Sequence, residues 1–373
     1  MTELRRRTIA SGEKGDQTVE AFVDQVDKDP IIRENVKEED LISTGCTMLN
    51  LACSGFSPYG GFLRGTVAHV IGDSDSGKTL LALSMMGDNV LDPRLEKYDF
   101  IYEEPEAAMR FPKTKMFGQN ISRVQFIPTD KERINPRRVQ DWAKTLEENS
   151  KKGPFIQVTD SFDSLTSADD LKTKKDDKGK EKESGKGGWK TEKAIVSSET
   201  FPKIIGPIKA HNSLYLQINQ TRDNIGVTFG EKKTFSGGNA IKFYRTHEIW
   251  LATASSITKD VRGKKRIIGS NVIAKIKKNK LTGKIRFVMF PVYDDYGVDD
   301  IGSMIDWLVF EGFWVKPQGK QIIETEDDFP DAIREKLIRH VEENNLEDKL
   351  KNICKECWIE LEGEIEIKRK PRY

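Results

Sequence analysis

A chain of 373 residues is long enough for one large α/β core and one or two smaller appendages. Lys and Arg total 61 against 60 for Asp and Glu, which excludes a uniformly basic surface, so any nucleic-acid contact must come from a local patch or from surfaces gathered by assembly. Four cysteines offer no disulfide framework and no apolar run approaches a membrane span, so a reducing cytoplasm is the expected setting, with no membrane partner.

Residues 1–40 are polar and charged, with weak helical patterning from Thr18 to Val26, and are expected to form an arm outside the core. Arg5, Arg6 and Arg7 lack the apolar run that would make them part of a signal peptide. From Leu41 onward short β-branched runs alternate with helical segments. Val67–Ile71 predicts a strand, and the stretch holding Leu80, Leu81, Leu83, Met85 and Met86 predicts a helix behind it. Asp99–Glu103 and Val124–Ile127 read as the next strands. Val139, Trp142, Ala143 and Leu146 lie at i, i+3, i+4 and i+7, one face of an amphipathic helix over 136–149 with Pro136 at its start. Further strands are expected at Phe155–Thr159, Leu214–Ile218, Glu248–Leu251, Val272–Ile276 and Ile285–Phe290. This alternation predicts an α/β fold with a mostly parallel twisted sheet covered on both faces. Leu171–Lys193 holds nine lysines and five acids without an apolar period, and is expected to be a mobile loop. A small C-terminal α/β region over 299–373 should carry amphipathic helices at Ile301–Phe310 and Ala332–Val341 before the basic run from Lys368 to Arg372. The four histidines show no ligand spacing, and Cys354 and Cys357 form a lone C-x-x-C without a second pair to complete a metal site.

Gly72-Asp73-Ser74-Asp75-Ser76-Gly77-Lys78-Thr79 fits G-x-x-x-x-G-K-[ST], placed between a predicted strand and a predicted helix that begins near Leu80. Glycines let the backbone wrap around phosphate oxygens, with successive N–H groups pointing inward at a helix start. Lys78 would bridge the β- and γ-phosphates of ATP and the Thr79 hydroxyl would ligate Mg²⁺. Asp73 and Asp75 are unusual neighbours for phosphates. Asp160, at the end of the apolar run from Phe155, is placed to hold the magnesium shell through water. Hydrolysis also needs a carboxylate that orients the attacking water, and Glu103, Glu104 and Glu106 compete for that role after the preceding strand.

Three later stretches narrow the choice: Ile218-Asn219-Gln220-Thr221-Arg222, Ile225-Gly226-Val227-Thr228-Phe229-Gly230, and Ser236-Gly237-Gly238-Asn239-Ala240-Ile241-Lys242-Phe243-Tyr244. Together with Leu41-Ile42-Ser43-Thr44-Gly45, Thr159-Asp160-Ser161-Phe162-Asp163-Ser164-Leu165-Thr166 and Lys278-Asn279-Lys280, they closely resemble the RecA recombinases of bacteria and their phages, over roughly Leu41 to Phe290. The resemblance implies a RecA-like P-loop ATPase core over 41–298, with residues 1–40 as an arm for oligomerisation. It implies a γ-phosphate sensor at Gln220. A DNA-binding loop would follow near 221–235, with Arg222, Asn224, Ile225, Gly226, Val227, Phe229 and Gly230 against the strand. The charged segment near 170–193 stands where the family has its other DNA loop, longer and more charged here; its Lys186, Trp189 and Lys190 could track phosphates and stack a base. Lys278 and Lys280 resemble the pair that reaches the ATP of the adjacent subunit, and Phe243 an aromatic buried on polymerisation. The pattern acid-small-Glu-x-Ala favours Glu106 as the base, whereas counting from Phe100-Ile101 favours Glu104. The implied function is an ATP-dependent recombinase that forms a helical filament on single-stranded DNA and pairs it with a homologous duplex. A ring-forming motor such as a helicase, or a nucleotide-gated regulatory switch, are the alternatives on the same core.

Overall fold

The computed structural model describes residues 36–106, 108–128, 136–166, 188–223, 233–238, 240–326 and 329–369. The predicted arm before residue 36, Lys186, and Asn224, Ile225, Gly226, Val227, Phe229 and Gly230 lie outside the described residues, as do the side chains of Trp189 and Lys190. Glu38–Tyr373 forms one compact unit, distinct from Met1–Lys37.

Within that unit the elements run α1 (Thr47–Ser54), β1 (Thr66–Gly72), α2 (Lys78–Asn89), β2 (Asp99–Glu103), β3 (Val124–Ile127), α3 (Val139–Lys152), β4 (Phe155–Thr159), α4 (Gly188–Ala210) and β5 (Leu214–Gln220). The chain continues through β6 (Arg245–Val261), β7 (Lys264–Asn279), β8 (Arg286–Tyr293), β9 (Gly297–Val298), α5 (Asp300–Phe310), α6 (Arg334–Asn344) and α7 (Glu347–Ile365). Nine strands share one sheet in the order β9-β8-β7-β6-β1-β5-β4-β2-β3. From β6 to β3 every pairing is parallel, and from β6 to β9 every pairing is antiparallel.

The inner parallel strands β1, β4 and β5 are buried on both faces, which is why their sequences are largely apolar. Alternate residues feed two cores. Ala68, Val70, Ile156, Val158, Leu216 and Ile218 pack with α1, α2 and the C-terminal helices. Val67, Phe155 and Tyr215 face α3 and α4, where Trp142, Leu146, Phe201, Ile204 and Ile208 cover them. That second face turns polar toward the carboxyl ends of the strands, with Glu103, Gln157, Thr159, Gln217, Asn219 and His69 all buried. β1, β2, β4 and β5 thus end side by side at Gly72, Glu103, Thr159 and Gln220, the edge where open α/β sheets bind ligands.

Three expectations are corrected and one element is added. The helix placed over 136–149 begins at Val139, because Arg138 stays extended to cap it with Asp141 and to bridge Thr166. Helix α4 starts at Gly188, so the end of the predicted mobile loop, through Lys193, is helical. Ser197, Thr200, Phe201, Ile204 and Ile208 form its buried face, and Pro202 and Pro207 inside the helix mask that period in the sequence. The short strands expected at Glu248–Leu251 and Val272–Ile276 are the inner parts of a long hairpin, β6–β7, whose outer half is exposed and polar and so carries no hydrophobic signal. Its two-residue turn puts Arg262 at φ 56° and Gly263 at φ 71°, the positive values that a type I′ turn needs. Finally, α7 was not foreseen, although Leu350, Cys354 and Trp358 recur at i, i+4 and i+8 on its buried side. The helix expected at Ile301–Phe310 matches α5, whose start is capped by the Asp299 carboxylate accepting from the Gly302 N–H at 2.9 Å.

Candidate active site

The turn from β1 into α2 is built for close approach. A Cβ on Gly72 would stand 2.4 Å from Ser76 Oγ and 2.8 Å from the Leu251 carbonyl oxygen, so only glycine closes the loop. Gly77 caps α2 at φ 81° without a side-chain hydrogen bond, which leaves the first-turn N–H groups of the helix without a side-chain cap. An anion fits there by geometry and by the helix dipole.

Lys78, Thr79 and Asp160 meet inside this cradle. The Lys78 ammonium donates to the Asp73 carbonyl and, at 3.3 Å, to Ser76 Oγ. Burial pulls its pKa below the ordinary lysine value, against the attraction of Asp160 and Asp73. Thr79 Oγ1 donates to Asp160 Oδ2 at 2.7 Å, and the Tyr102 hydroxyl donates to the same oxygen at 2.6 Å. Burial raises the Asp160 pKa, while the two hydroxyls and the Lys78 charge oppose that rise. A buried carboxylate beside a threonine hydroxyl, with a cation close by, is a donor set suited to Mg²⁺ and phosphate together. Tyr102 escaped the sequence reading because it lies on a strand as an ordinary core aromatic.

One cavity of about 400 Å³ gathers Ser74, Asp75, Lys78, Thr79, Glu104, Glu106, Asp160 and Gln220. Asp75, Ser76, Gly77 and Leu80 also line an adjoining hollow with Phe111 and Asp294. A larger hollow of about 1060 Å³, lined by Thr47, Asp300 and Lys351 among others, touches none of residues 72–79.

The three glutamates separate clearly. Glu103 is fully buried and paired with Arg137 at 2.8 Å, and accepts from Thr159 and Gln157 at 3.2 and 3.3 Å. Glu104 is also buried, and its oxygens accept the backbone N–H groups of Ala108 and Met109 at 2.9 and 3.4 Å. Glu106 is exposed and accepts from the hydroxyls of Ser164 and Ser161 at 2.6 and 3.4 Å.

Burial holds the Glu103 carboxyl above the usual range, and Arg137 is the largest influence opposing it. Removing that guanidinium with Arg137→Ala strands a buried carboxylate, so stability should fall by about 3–5 kcal/mol. A carboxyl whose folded pKa is raised binds its proton more tightly when folded. Its contribution is complete below the unfolded pKa and is lost as pH rises through the folded pKa. Without Arg137 that folded pKa rises further. The deficit of the variant should therefore shrink on acidification from neutrality, and urea melts that show the same deficit at both pH values would contradict this account.

Gln220 ends β5 at the cavity, and its backbone N–H donates to Asp163 Oδ2 at 2.7 Å. Asp163 also accepts from the Asn219 amide at 2.8 Å and from the Ser236 hydroxyl, and it pairs with Arg222 at 3.4 Å. The Asn219 carbonyl in turn contacts the buried His69, whose other nitrogen meets Arg245. Burial lowers the pKa of His69 to about 3, so the ring is neutral. Asp163, to which no role was given from sequence, is the hub between the end of β5 and the Ser236-Gly237-Gly238 turn. Gly238 sits at φ 77°, and a Cβ there would stand 2.7 Å from the Ala194 side chain on α4.

Asp73 also finds a place. Its carboxylate accepts from the Thr221 hydroxyl and the Lys233 ammonium, and the hydrogen bond from Lys233 is the main reason its pKa lies below the usual range. Lys278 and Lys280 lie together on another surface, donating to the carbonyls of Lys242 and Phe243. Phe243 is 71 % exposed beside them. None of the three lines the cavity around Lys78.

The profile of the RecA N-terminal domain matches residues 144–299. The protein RecA of Azospirillum lipoferum is 26% identical over 322 residues, covering 82% of each chain. That of Caulobacter vibrioides is 27% identical over 321 residues, covering 84% of this chain and 82% of its own length. RecA of Methylobacterium radiotolerans is 27% identical over 280 residues, with 75% and 69% coverage.

Proposed function

This chain is of the RecA type, and from that premise we propose that it is a DNA-dependent ATPase and recombinase. It assembles as a helical filament on single-stranded DNA and pairs that strand with a homologous duplex. One observation carries the reading: a single cavity joins Lys78, Thr79, Asp160, Glu104, Glu106 and Gln220, while Lys278, Lys280 and Phe243 cluster outside it. A site whose remaining cations point elsewhere is complete only when a neighbour supplies them.

Bound ATP with Mg²⁺ would supply the labile γ-phosphoryl bond and its charge. The chain's residues then have distinct tasks. Lys78 neutralises phosphate charge from within the loop, and the α2 N–H groups hold the phosphate oxygens. Thr79 and Asp160 would hold the metal. Glu104, buried and fixed by two backbone N–H groups, is better placed to orient a water than Glu106, whose carboxylate is exposed and engaged by serines. Gln220 reports the terminal phosphate to the segment beyond it, where the DNA-contacting residues would lie. Lys278 and Lys280 of one protomer act on the nucleotide of the next, which makes turnover depend on assembly.

ATP turnover with and without single-stranded DNA, followed by imaging of the same mixtures, tests the reading. Stimulated turnover together with helical filaments is expected. Closed rings would point to a motor, and turnover indifferent to DNA would point away from a recombinase.

A further inference from the structure

We infer that Tyr102 is a positioning residue for the metal-side carboxylate: its hydroxyl fixes Asp160 in the orientation that lets Mg²⁺ be held beside the nucleotide phosphates. This rests on the function proposed above, which gives Thr79 and Asp160 to the metal. The strands themselves bring the two groups together. Tyr102 of β2 pairs in register with Val158 of β4, and Asp160 follows Val158 by two residues, which returns it to the same side of the sheet. The Asp160 N–H donates to the Glu103 carbonyl at 2.8 Å, so the pairing runs one step past the end of β4. Tyr102 and Asp160 are therefore diagonal neighbours, within reach of a long aromatic side chain. The phenol spans that diagonal and donates to Asp160 Oδ2 at 2.6 Å.

The surroundings distinguish this contact from a core tyrosine that merely finds an acceptor. Tyr102 is fully buried and its ring lies against Phe126, with centroids 5.5 Å apart, so the core holds the hydroxyl in place without help from a ligand. Its acceptor is a buried carboxylate that lines the cavity with Lys78 and Thr79. Thr79 Oγ1 donates to the same Oδ2 at 2.7 Å, but that oxygen is also the one offered to the metal. Among the described residues the Tyr102 hydroxyl engages only Asp160, and no hydrogen bond engages Oδ1. Two donors on Oδ2 thus fix the carboxylate and leave Oδ1 as the oxygen available to a metal shell, the arrangement by which outer partners orient metal ligands. Glu104 follows two residues after Tyr102, so the same strand end sets both the metal-side carboxylate and the one that orients water.

The test titrates Mg²⁺ into the full chain with a fluorescent ADP at fixed concentration, and so reads binding instead of turnover. In the wild type, Mg²⁺ should tighten nucleotide binding with a defined midpoint. Tyr102→Phe keeps the ring and loses the hydroxyl. Its nucleotide affinity in EDTA should stay within about twofold of wild type while the Mg²⁺ midpoint rises about tenfold or more, the usual cost of losing an outer partner of a metal ligand. Tyr102→Met, which also lacks the hydroxyl but adapts its shape, should shift the midpoint likewise and keeps the idea testable if the phenylalanine variant fails to fold. Phe126→Leu disturbs the same core without touching Asp160 and should leave the midpoint where it is. In an Asp160→Asn background, Tyr102→Phe should add little, because the hydroxyl acts through the carboxylate. Midpoints within about twofold of wild type in both Tyr102 variants, or an equal rise in Phe126→Leu, would overturn the inference. A wild type whose nucleotide binding ignores Mg²⁺ would instead take Thr79 and Asp160 away from the metal, defeating the proposed site and the role of Tyr102 with it.

Discussion

Replacing Lys78 with alanine is expected to reduce ATP turnover by at least about 10²–10³-fold, the usual consequence of losing a group aimed at developing phosphate charge. Lys78 stands at the first turn of α2, only 7% exposed; burial lowers its pKa, and the charges of Asp160 and Asp73 oppose that shift. Its present acceptors are the Asp73 carbonyl and Ser76 Oγ, both within the loop itself. Alanine would keep the helix, since it is the best helix former, and would remove the ammonium together with its two hydrogen bonds in the loop. Steady-state phosphate release, with circular dichroism to verify the fold, gives the answer. Normal turnover in a folded Lys78→Ala protein would remove the phosphate loop from the mechanism.

Glu104→Gln should lower turnover by about 10²–10⁴-fold and leave nucleotide binding in place, because an amide keeps the shape of the side chain but cannot accept a proton from water. Glu106→Gln should cost far less. The physical difference is orientation. Glu104 is buried at the edge where β2 meets β4 and accepts two successive N–H groups, whereas the exposed Glu106 accepts from two serine hydroxyls. Lining the same cavity, each could reach a water, so the comparison must be made in parallel at saturating ATP. The opposite ranking would return the role to Glu106, which the spacing to Ala108 favours.

Much of the parallel half of the sheet could be read in advance, since strands buried on both faces announce themselves as apolar runs. Asp99–Glu103, Val124–Ile127 and Phe155–Thr159 coincide with β2, β3 and β4 to the residue. What could not be read has physical causes. The outer half of the β6–β7 hairpin buries nothing, so it leaves no pattern. Helix α4 carries two prolines that argue locally against a helix, and packing against Trp142 and Tyr215 overrides them. At the site, the meeting of Lys78, Thr79 and Asp160 could be expected, because a phosphate-binding turn would need one spacing and one strand end. Glu103 and Arg137 are 34 residues apart in the chain and show no pattern until the fold joins them. Asp163 and Asp73 were present in the quoted motifs, yet their roles depend on hydrogen bonds to residues brought in by β5 and the turn after it. A motif names the residues; only the tertiary contacts assign which atoms they hold.

ATP turnover of the purified protein, measured with and without single-stranded DNA at fixed Mg²⁺, bears most directly on the claim that each site is completed by a neighbour lined up along a strand. The account predicts slow turnover alone and a marked rise when DNA aligns the protomers so that Lys278 and Lys280 reach the adjoining cavity. Equal rates in both samples would mean that the cavity works without its neighbour, and would contradict it.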